Sequence, residues 1–176
     1  MIFTELSLTG ALIVEPEPRR DERGFFARIW DSKAAAEQGL ASQFVQASIS
    51  WNPRAGTLRG MHWQVAPHEE VKLVRVTAGA IHDVIIDLRR GSPTYGEYVG
   101  VRLDEQNRRV LYIPEGFAHG FLTLADDTEV TYQMSAPYVP EAARGLRFDD
   151  PRFSIAWPTA VQVISPRDTA YPDFTD

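Results

Sequence analysis

The sequence predicts a mainly β protein, a β-sandwich or barrel with a few short helices. Short apolar or alternating runs recur about every ten residues, and Gly, Pro, Asn and Asp turns separate them. The chain has 176 residues, which is enough for one domain with a substantial core. A hydrophobic fraction of 44% is typical of a soluble globular protein. We therefore predict a single domain over residues 1–176.

The composition excludes several classes of function. A net charge of -6 argues against a general nucleic-acid binder, although it leaves room for a local basic pocket. The chain has no cysteine, so it offers neither a disulfide nor a thiolate zinc site. Its start has no basic flank and no long apolar core, and we expect neither a signal peptide nor a membrane span. The cytoplasm is the expected location.

The first third of the chain predicts short strands and one helix. In order, the expected elements are two strands on either side of Thr9-Gly10, a strand over 25–30, a helix over 33–38, and a strand from residue 44. Asp31 can cap the helix and Gly39 can end it. The strand from residue 44 alternates a polar row with an apolar row, which suits a strand that lines a wet cavity. The polar row contains Phe44, Gln46, Ser48 and Ser50, and the apolar row contains Val45, Ala47 and Ile49.

Two predicted strands between residues 57 and 76 carry the side chains that most strongly suggest a functional site. Alternation in the first puts Arg59 and Met61 on the face opposite His62. In the second, Lys72 shares a face with Val74 and Val76. Burying a His and a Lys among apolar side chains is costly unless they have a use. The structural alternative is a His bonded to backbone and a Lys that reaches solvent.

The rest of the chain continues as strand and turn. Further strands are expected over residues 80–88, 97–103, 109–113, 120–124 and 129–134, and the tail from residue 137 predicts loops and short helical turns packed on the barrel. On the last of these strands Tyr132 shares its face with Val130 and Met134. Its ring should therefore point to the core or a cavity.

Five ionisable side chains on or beside these strands form a candidate site: His62, Lys72, Asp83, His119 and Tyr132. A His, a Lys and a Tyr that converge in one barrel can serve as base, enolate stabiliser and acid. That set suits proton abstraction beside a carbonyl, followed by reprotonation on the opposite face. No Gly-rich dinucleotide fingerprint accompanies it.

Several motifs resemble one family in order along nearly the whole chain. They are RGMHWQ (59–64), VKLVRV (71–76), HDVIIDLRRGSPTYG (82–96), IPEGFAHGF (113–121), DDP (149–151), WP (157–158) and SPRD (165–168). As a set they are similar to dTDP-4-dehydrorhamnose 3,5-epimerases. The resemblance implies a cupin-type (jelly-roll) β-barrel that works as a homodimer without metal or cofactor. The implied substrate is a nucleotide-diphospho-4-keto-6-deoxy sugar.

The resemblance also implies a catalytic role for individual residues. His62 would be the proton acceptor, paired with Asp168, which fixes the tautomer and raises the basicity. Tyr132 would be the proton donor. Lys72 would stabilise the enolate, with His119 nearby.

The remaining implied positions bind the nucleotide end of the substrate. Arg59 would hold the diphosphate, Arg167 would add a phosphate contact, and Arg23 would reach it from the partner subunit. Gln46 and Tyr138 would meet the base, Tyr138 by stacking.

Four positions depart from the family pattern. Arg28 and Ser48 stand where the family has Glu and Asn, Glu70 stands for Gln, and Ala143 stands for Glu. Several of these changes fall where the family reads the nucleotide, and an all-donor Arg cannot accept from a base N–H as a Glu does. One hypothesis is therefore the same chemistry on a non-thymidine nucleotide sugar. In the other, Arg28 points to solvent and thymidine is still used. Inversion of one or two carbons is left open.

Two rival functions also stay open. A metal-dependent cupin enzyme would use His62, His119 and either Glu69 or Glu70 as ligands, although Gln64 replaces one expected His. A binding module without turnover would have no use for the complete acid–base set.

Overall fold

The computed structural model describes residues 1–175, which contain thirteen strands and two short helices. The strands are β1 (Ile2–Glu5), β2 (Leu12–Glu15), β3 (Arg19–Asp21), β4 (Gly24–Phe26), β5 (Gln46–Asn52), β6 (Leu58–Gln64), β7 (Lys72–Ala78), β8 (Ala80–Asp87), β9 (Tyr98–Asp104), β10 (Val110–Ile113), β11 (Phe117–Thr123), β12 (Thr128–Met134) and β13 (Ala143–Gly145). The helices are α1 (Ser32–Glu37) and α2 (Pro166–Thr169). No helix among the described residues is long and apolar enough to cross a membrane.

Two antiparallel sheets make the barrel. One has the order β1-β2-β10-β7-β12-β5 and the other β13-β6-β11-β8-β9, while β3 and β4 pair apart from both. Alternate side chains of both sheets meet in one core, where Val74 and Val130 of the first sheet pack with Ile81, Ile85 and Phe121 of the second. Their burial is the main stabilising contribution. The predicted jelly-roll class is confirmed.

The predicted helix is present, but the strand before it is shorter than expected. Asp31 caps α1 by accepting hydrogen bonds from the N–H groups of Lys33 and Ala34. The strand predicted over 25–30 ends at Phe26. It pairs only with β3, and residues 27–31 lead away to the helix cap, so no partner strand extends the pairing.

Two differences concern strands that carry or flank candidate residues. The strand expected from Gly120 begins at Phe117, so His119 lies within β11 rather than in the turn before it. The tail also contributes β13, which pairs with β6. Neither was evident in the sequence, because the run from residue 113 is broken by Pro and Gly and β13 is only three residues long.

Strand β5 lies at the edge of its sheet and pairs only with β12. The predicted alternation is present in part: Gln46 and Ser50 line cavities, whereas Ser48 lines a separate pocket with Ala47 and Ile49. The apolar row points away from them, and its members Val45, Ile49 and the following Trp51 are exposed. This edge therefore presents an uncovered apolar face in the protomer.

A β-bulge in β6 changes which side chains reach the cavity. His62 pairs with His119 and Arg59 pairs with Phe121, so two residues of β6 lie opposite Gly120. A Cβ on Gly60, whose φ is +124°, would lie 2.5 Å from the Cα of Gly120. The expectation that Arg59 and His62 face opposite sides is wrong, because the extra residue turns both towards one cavity.

Candidate active site

A cavity of about 580 Å³ is lined by strands of both sheets. Its lining includes Ser50, Arg59, His62, Lys72, His119, Tyr132, Arg167 and Asp168. A second pocket of about 230 Å³ shares His62, Lys72, Tyr132 and Arg167 with it and extends to Gln46 and Tyr138. The shared residues make the two one continuous cleft. It is large enough for a substrate of several rings and has convergent polar groups, as binding sites do.

His62 and Asp168 form a pair at the wall of this cleft. The His62 Nε2 lies 2.6 Å from the Asp168 Oδ1, with His62 40% exposed and Asp168 6% exposed. Ser165 caps the short helix that carries Asp168. Burial opposes ionisation of Asp168, but the hydrogen bond and charge of His62, together with hydrogen bonds from Gly60 and Ser165, outweigh it, and the pKa of Asp168 lies below its usual value. An ionised Asp168 holds the Nε2–H, which leaves the lone pair on the other ring nitrogen.

Tyr132 faces the same cleft from the other sheet. It projects from β12, and its ring lies 6.1 Å from the His119 ring and 6.4 Å from the Phe121 ring. Burial raises the pKa of Tyr132, the charge of Asp83 raises it further, and Arg59 opposes the rise. The phenol therefore stays protonated and can act only as a proton donor at ordinary pH.

A second His–Asp pair lies deeper. The His119 Nε2 is 2.8 Å from the Asp83 Oδ1, and the two side chains are 5% and 0% exposed. The Asp83 Oδ2 is buried without a hydrogen-bond partner. Neighbouring strands β11 and β8 hold this pair in register at the back of the cleft.

Lys72 and Arg59 are each held by a partner side chain that could not be identified from the sequence. The Lys72 Nζ lies 3.0 Å from the Glu70 Oε1 and donates to the His62 carbonyl at 3.4 Å. The Arg59 Nε donates to the Oδ1 of buried Asn52 at 2.7 Å. Asn52 ends β5, so only the folded sheet reveals its partner. These contacts hold both cations at the cleft wall.

The far end of the cleft combines an amide, two tyrosines and a guanidinium. The Gln46 Oε1 accepts the backbone N–H of Tyr138 at 2.9 Å. Arg167 hydrogen-bonds to the side chain of Tyr138 and donates from its Nε to the Tyr171 hydroxyl at 2.8 Å. The Tyr171 ring also lies 6.2 Å from the His62 ring. Tyr171 was missed, and its only signal is its place three residues after Asp168.

Three predicted binding residues lie elsewhere in the protomer. Arg23 is on the exposed β3–β4 hairpin and pairs with Asp21. The Arg28 Nη1 donates to the Asp31 Oδ2 at 2.9 Å, in a separate surface pocket beside α1. Ser48 lies on β5 between Gln46 and Ser50 and pairs across strands with Tyr132. Ser48 is absent from the lining of the cleft and lines a separate pocket with Ala47 and Ile49.

The residues considered as metal ligands do not converge on one point. They have separate partners: His62 with Asp168, His119 with Asp83, and Glu70 with Lys72 and Gln64. Within residues 1–175, no group of three His, Asp or Glu side chains is placed to hold a metal ion. The arrangement presents hydrogen-bonding and proton-transfer groups instead of a common ligand set.

A jelly-roll barrel whose cleft places a His–Asp pair opposite a protonated Tyr defines a cupin-type enzyme equipped for acid–base chemistry. Known proteins agree with this class. The family model for dTDP-4-dehydrorhamnose 3,5-epimerase matches residues 5–176. The chain belongs to this family of isomerases, which act on carbohydrates.

Three relatives show how close the match is. The epimerase of Methanothermobacter thermautotrophicus is 49% identical over 156 residues, covering 89% of this chain and 83% of the relative. The crystal structure of the Bacillus anthracis epimerase with TDP and PPi bound superimposes with a TM-score of 0.94 at 38% identity, covering 98% of this chain and 99% of that one. The Legionella pneumophila epimerase in complex with dTDP-4-keto-L-rhamnose gives 0.89 at 39% identity, covering 96% and 90%.

Proposed function

We propose that this protein epimerises a nucleotide-diphospho-4-keto-6-deoxyhexose at C3, C5 or both, most directly dTDP-4-dehydro-6-deoxyglucose to dTDP-4-dehydrorhamnose. The observation that carries the proposal is the placement of base and acid. His62 with Asp168 and the protonated Tyr132 line one cleft from opposite sheets. Inversion needs that arrangement, because the proton must leave one face of the carbon and return to the other.

The reaction is a proton abstraction followed by reprotonation. His62 takes the proton from the carbon beside the C4 carbonyl, and the Asp168 carboxylate stabilises the imidazolium that forms. The electron pair moves onto the C4 oxygen, where Lys72 stabilises the enolate with His119 nearby. Tyr132 then donates its proton to the opposite face of the carbon. Proton counts balance once His62 and Tyr132 exchange protons with solvent.

The nucleotide end of the substrate occupies the rest of the cleft. Arg59 and Arg167 supply positive charge for the diphosphate, and Gln46 and Tyr138 meet the base, Tyr138 by stacking. We propose thymidine as the base because Arg28 is occupied by the cap of α1. A non-thymidine nucleotide is the alternative, with Arg28 and Ser48 reading the base in its place.

The active unit is a homodimer in which Arg23 reaches the diphosphate of the partner's cleft. The exposed apolar row of β5 supports this proposal, since burial against a second copy removes that surface from water. Sedimentation of the protein should give a dimer, and a monomer with full activity would contradict it. We propose that the whole chain forms one epimerase domain, and the cytoplasmic location stays a prediction from the sequence.

Solvent exchange tests the proposed function directly. The protein is incubated with dTDP-4-keto-6-deoxyglucose in D₂O, and incorporated deuterium is measured by mass spectrometry. Exchange at C3 and C5 would establish a double epimerase on the thymidine sugar, and exchange at one carbon a single-site epimerase. If deuterium were incorporated only into GDP, CDP or UDP sugars, the result would favour the alternative of a non-thymidine nucleotide. The proposal would be overturned if the folded protein incorporated deuterium into none of these sugar nucleotides.

A further inference from the structure

Glu70 lies between the cationic side chain of the cleft and a buried amide. One carboxylate oxygen, Oε1, is 3.0 Å from the Lys72 Nζ, and the other, Oε2, accepts from the Gln64 Nε2. The Glu70 and Lys72 side chains are 8% and 13% exposed. A carboxylate this enclosed is costly unless both of its oxygens are satisfied.

The surroundings of Gln64 fix the direction of its amide. The two N–H groups of the Nε2 are shared among three acceptors, the Glu70 Oε2 and the carbonyls of His68 at 2.8 Å and Pro137 at 3.2 Å, and the Oε1 accepts the N–H of Val139 at 2.6 Å. A flipped amide would set donor against donor and acceptor against acceptor. Gln64 can therefore offer only a donor to residue 70.

Residue 70 thus receives donors from two sides. Lys72 brings an ammonium and Gln64 an amide N–H, and a carboxylate accepts each with its own oxygen. A Gln at this position would have one acceptor oxygen, and its NH₂ would replace one of the two acceptors. The local chemistry therefore favours Glu over its amide isostere.

We propose that Glu70 is a positioning residue that aims Lys72 into the cleft, an inference that rests on the function proposed above. The Lys72 ammonium has three N–H groups, of which Glu70 and the His62 carbonyl engage two. The remaining N–H is directed to an oxygen of the bound sugar. Since Glu70 offsets its charge, Lys72 acts as an oriented donor more than as an uncompensated cation.

The same contacts connect the two ends of the cleft. Gln64 bonds to both residues that flank Tyr138, while Glu70 bonds to Lys72. The segment that meets the base and the group that meets the enolate are thus held by one continuous set of hydrogen bonds. Correct seating of the nucleotide and correct orientation of Lys72 therefore both depend on the contact between Gln64 and Glu70.

The chain offers a direct readout, because it has only two lysines, Lys33 and Lys72. Lys33 is exposed on α1 and serves as the internal reference. The ratio of Lys72 to Lys33 acetylation by acetic anhydride, measured by peptide mass spectrometry, reports how firmly Lys72 is held. In Glu70→Gln we expect this ratio to rise about fivefold, as for loss of a charge-assisted hydrogen bond. The neighbouring Glu69→Gln variant removes the same charge and should leave it unchanged.

Turnover distinguishes positioning from simple binding. Glu70→Gln should lower kcat about tenfold with KM within about twofold, because the contact to the enolate matters most in the transition state. Unchanged acetylation and kcat in folded Glu70→Gln, or equal effects in Glu69→Gln, would overturn the proposal. Glu70→Ala repeats the test if the first variant is unfolded by circular dichroism. The acetylation ratio needs no substrate, so it stands apart from wild-type deuterium exchange, whose failure would instead overturn the epimerase function.

Discussion

Two His–Asp pairs of nearly equal geometry lie side by side in this barrel, in different surroundings. His62–Asp168 spans 2.6 Å with its imidazole 40% exposed, and His119–Asp83 spans 2.8 Å with its imidazole 5% exposed. The two histidines are paired residues on the neighbouring strands β6 and β11. The exposed pair joins a strand to a helix of the C-terminal tail, whereas the buried pair joins two strands of one sheet.

Hydrogen-bond length hardly differs between the two pairs, so the difference in exposure is what supports the proposed proton exchange at His62 and a fixed position for His119. A general base must release its proton between turnovers, and the His62 imidazole, 40% exposed against 5% for His119, is the better placed of the two to do so. His119 keeps its place because the buried Asp83 fixes its ring, and it offers a steady environment to Tyr132.

Removing the charge of the exposed pair should have the largest effect. In Asp168→Asn the imidazolium formed by proton abstraction loses its carboxylate, and we expect kcat to fall about a thousandfold. Deuterium exchange into the sugar measures the loss. Asp149→Asn, a change at an exposed carboxylate paired with Arg147, is the control. Activity above a tenth of wild type in Asp168→Asn would remove His62–Asp168 from the proton-transfer step.

Removing the acid should separate exchange from inversion. Tyr132→Phe keeps the ring packing against His119 and Phe121 but has no proton to donate. We expect epimer formation to fall about a hundredfold, while His62 still exchanges substrate protons with retention. Mass spectrometry together with NMR of the sugar tells the two apart. Survival of inversion in this variant would show that another group is the acid.

Changing the buried pair should affect stability more than activity. Asp83→Asn weakens the acceptor for His119 in a fully buried place, and we expect the free energy of unfolding to fall by about 1–3 kcal/mol. The fall in kcat should stay within about tenfold. Urea unfolding and the exchange assay measure these two quantities. A loss of activity as large as that of Asp168→Asn would make the two pairs equivalent.

The smallest effect is expected at His82, next to the buried pair. Burial lowers the pKa of His82, and the charge of Asp83 opposes this shift. The folded state therefore disfavours the protonated ring, so stability is complete above the unfolded value of about 6.5 and declines as the pH falls through it. His82→Gln should flatten this part of the stability profile by a fraction of a kcal/mol. An identical slope between pH 5 and 7 in both proteins would assign the decline to other groups.

Local patterns were enough for most of the framework. Alternation correctly put Lys72 with Val74 and Val76, and Tyr132 with Val130, and Asp31 marked the start of α1. Such features depend on residues close in sequence, and a period-two or capping pattern records them.

Contacts between distant residues could not be predicted in this way. Asp168 meets His62 across 106 positions, and only family resemblance linked them. Glu70 appeared in the sequence as a departure from a pattern, and its two donors became clear only in the folded cleft. Arg28, for which the sequence left a nucleotide contact and a solvent-facing side chain both open, is held by Asp31 three residues away. A partner only three residues away can thus fix a side chain whose role a pattern leaves open.

The extra residue in β6 sets the distance along the strand between the guanidinium of Arg59 and the imidazole of His62. Arg59 and His62 stand three positions apart, an odd interval that a regular strand would divide between its two sides. Deleting either Gly60 or Met61 would shorten the interval to two positions, which a regular strand keeps on one side, and would bring the guanidinium and the imidazole one residue closer along the strand. The number of residues between Arg59 and His62 is therefore the feature to change when the site is engineered for a longer or shorter sugar nucleotide.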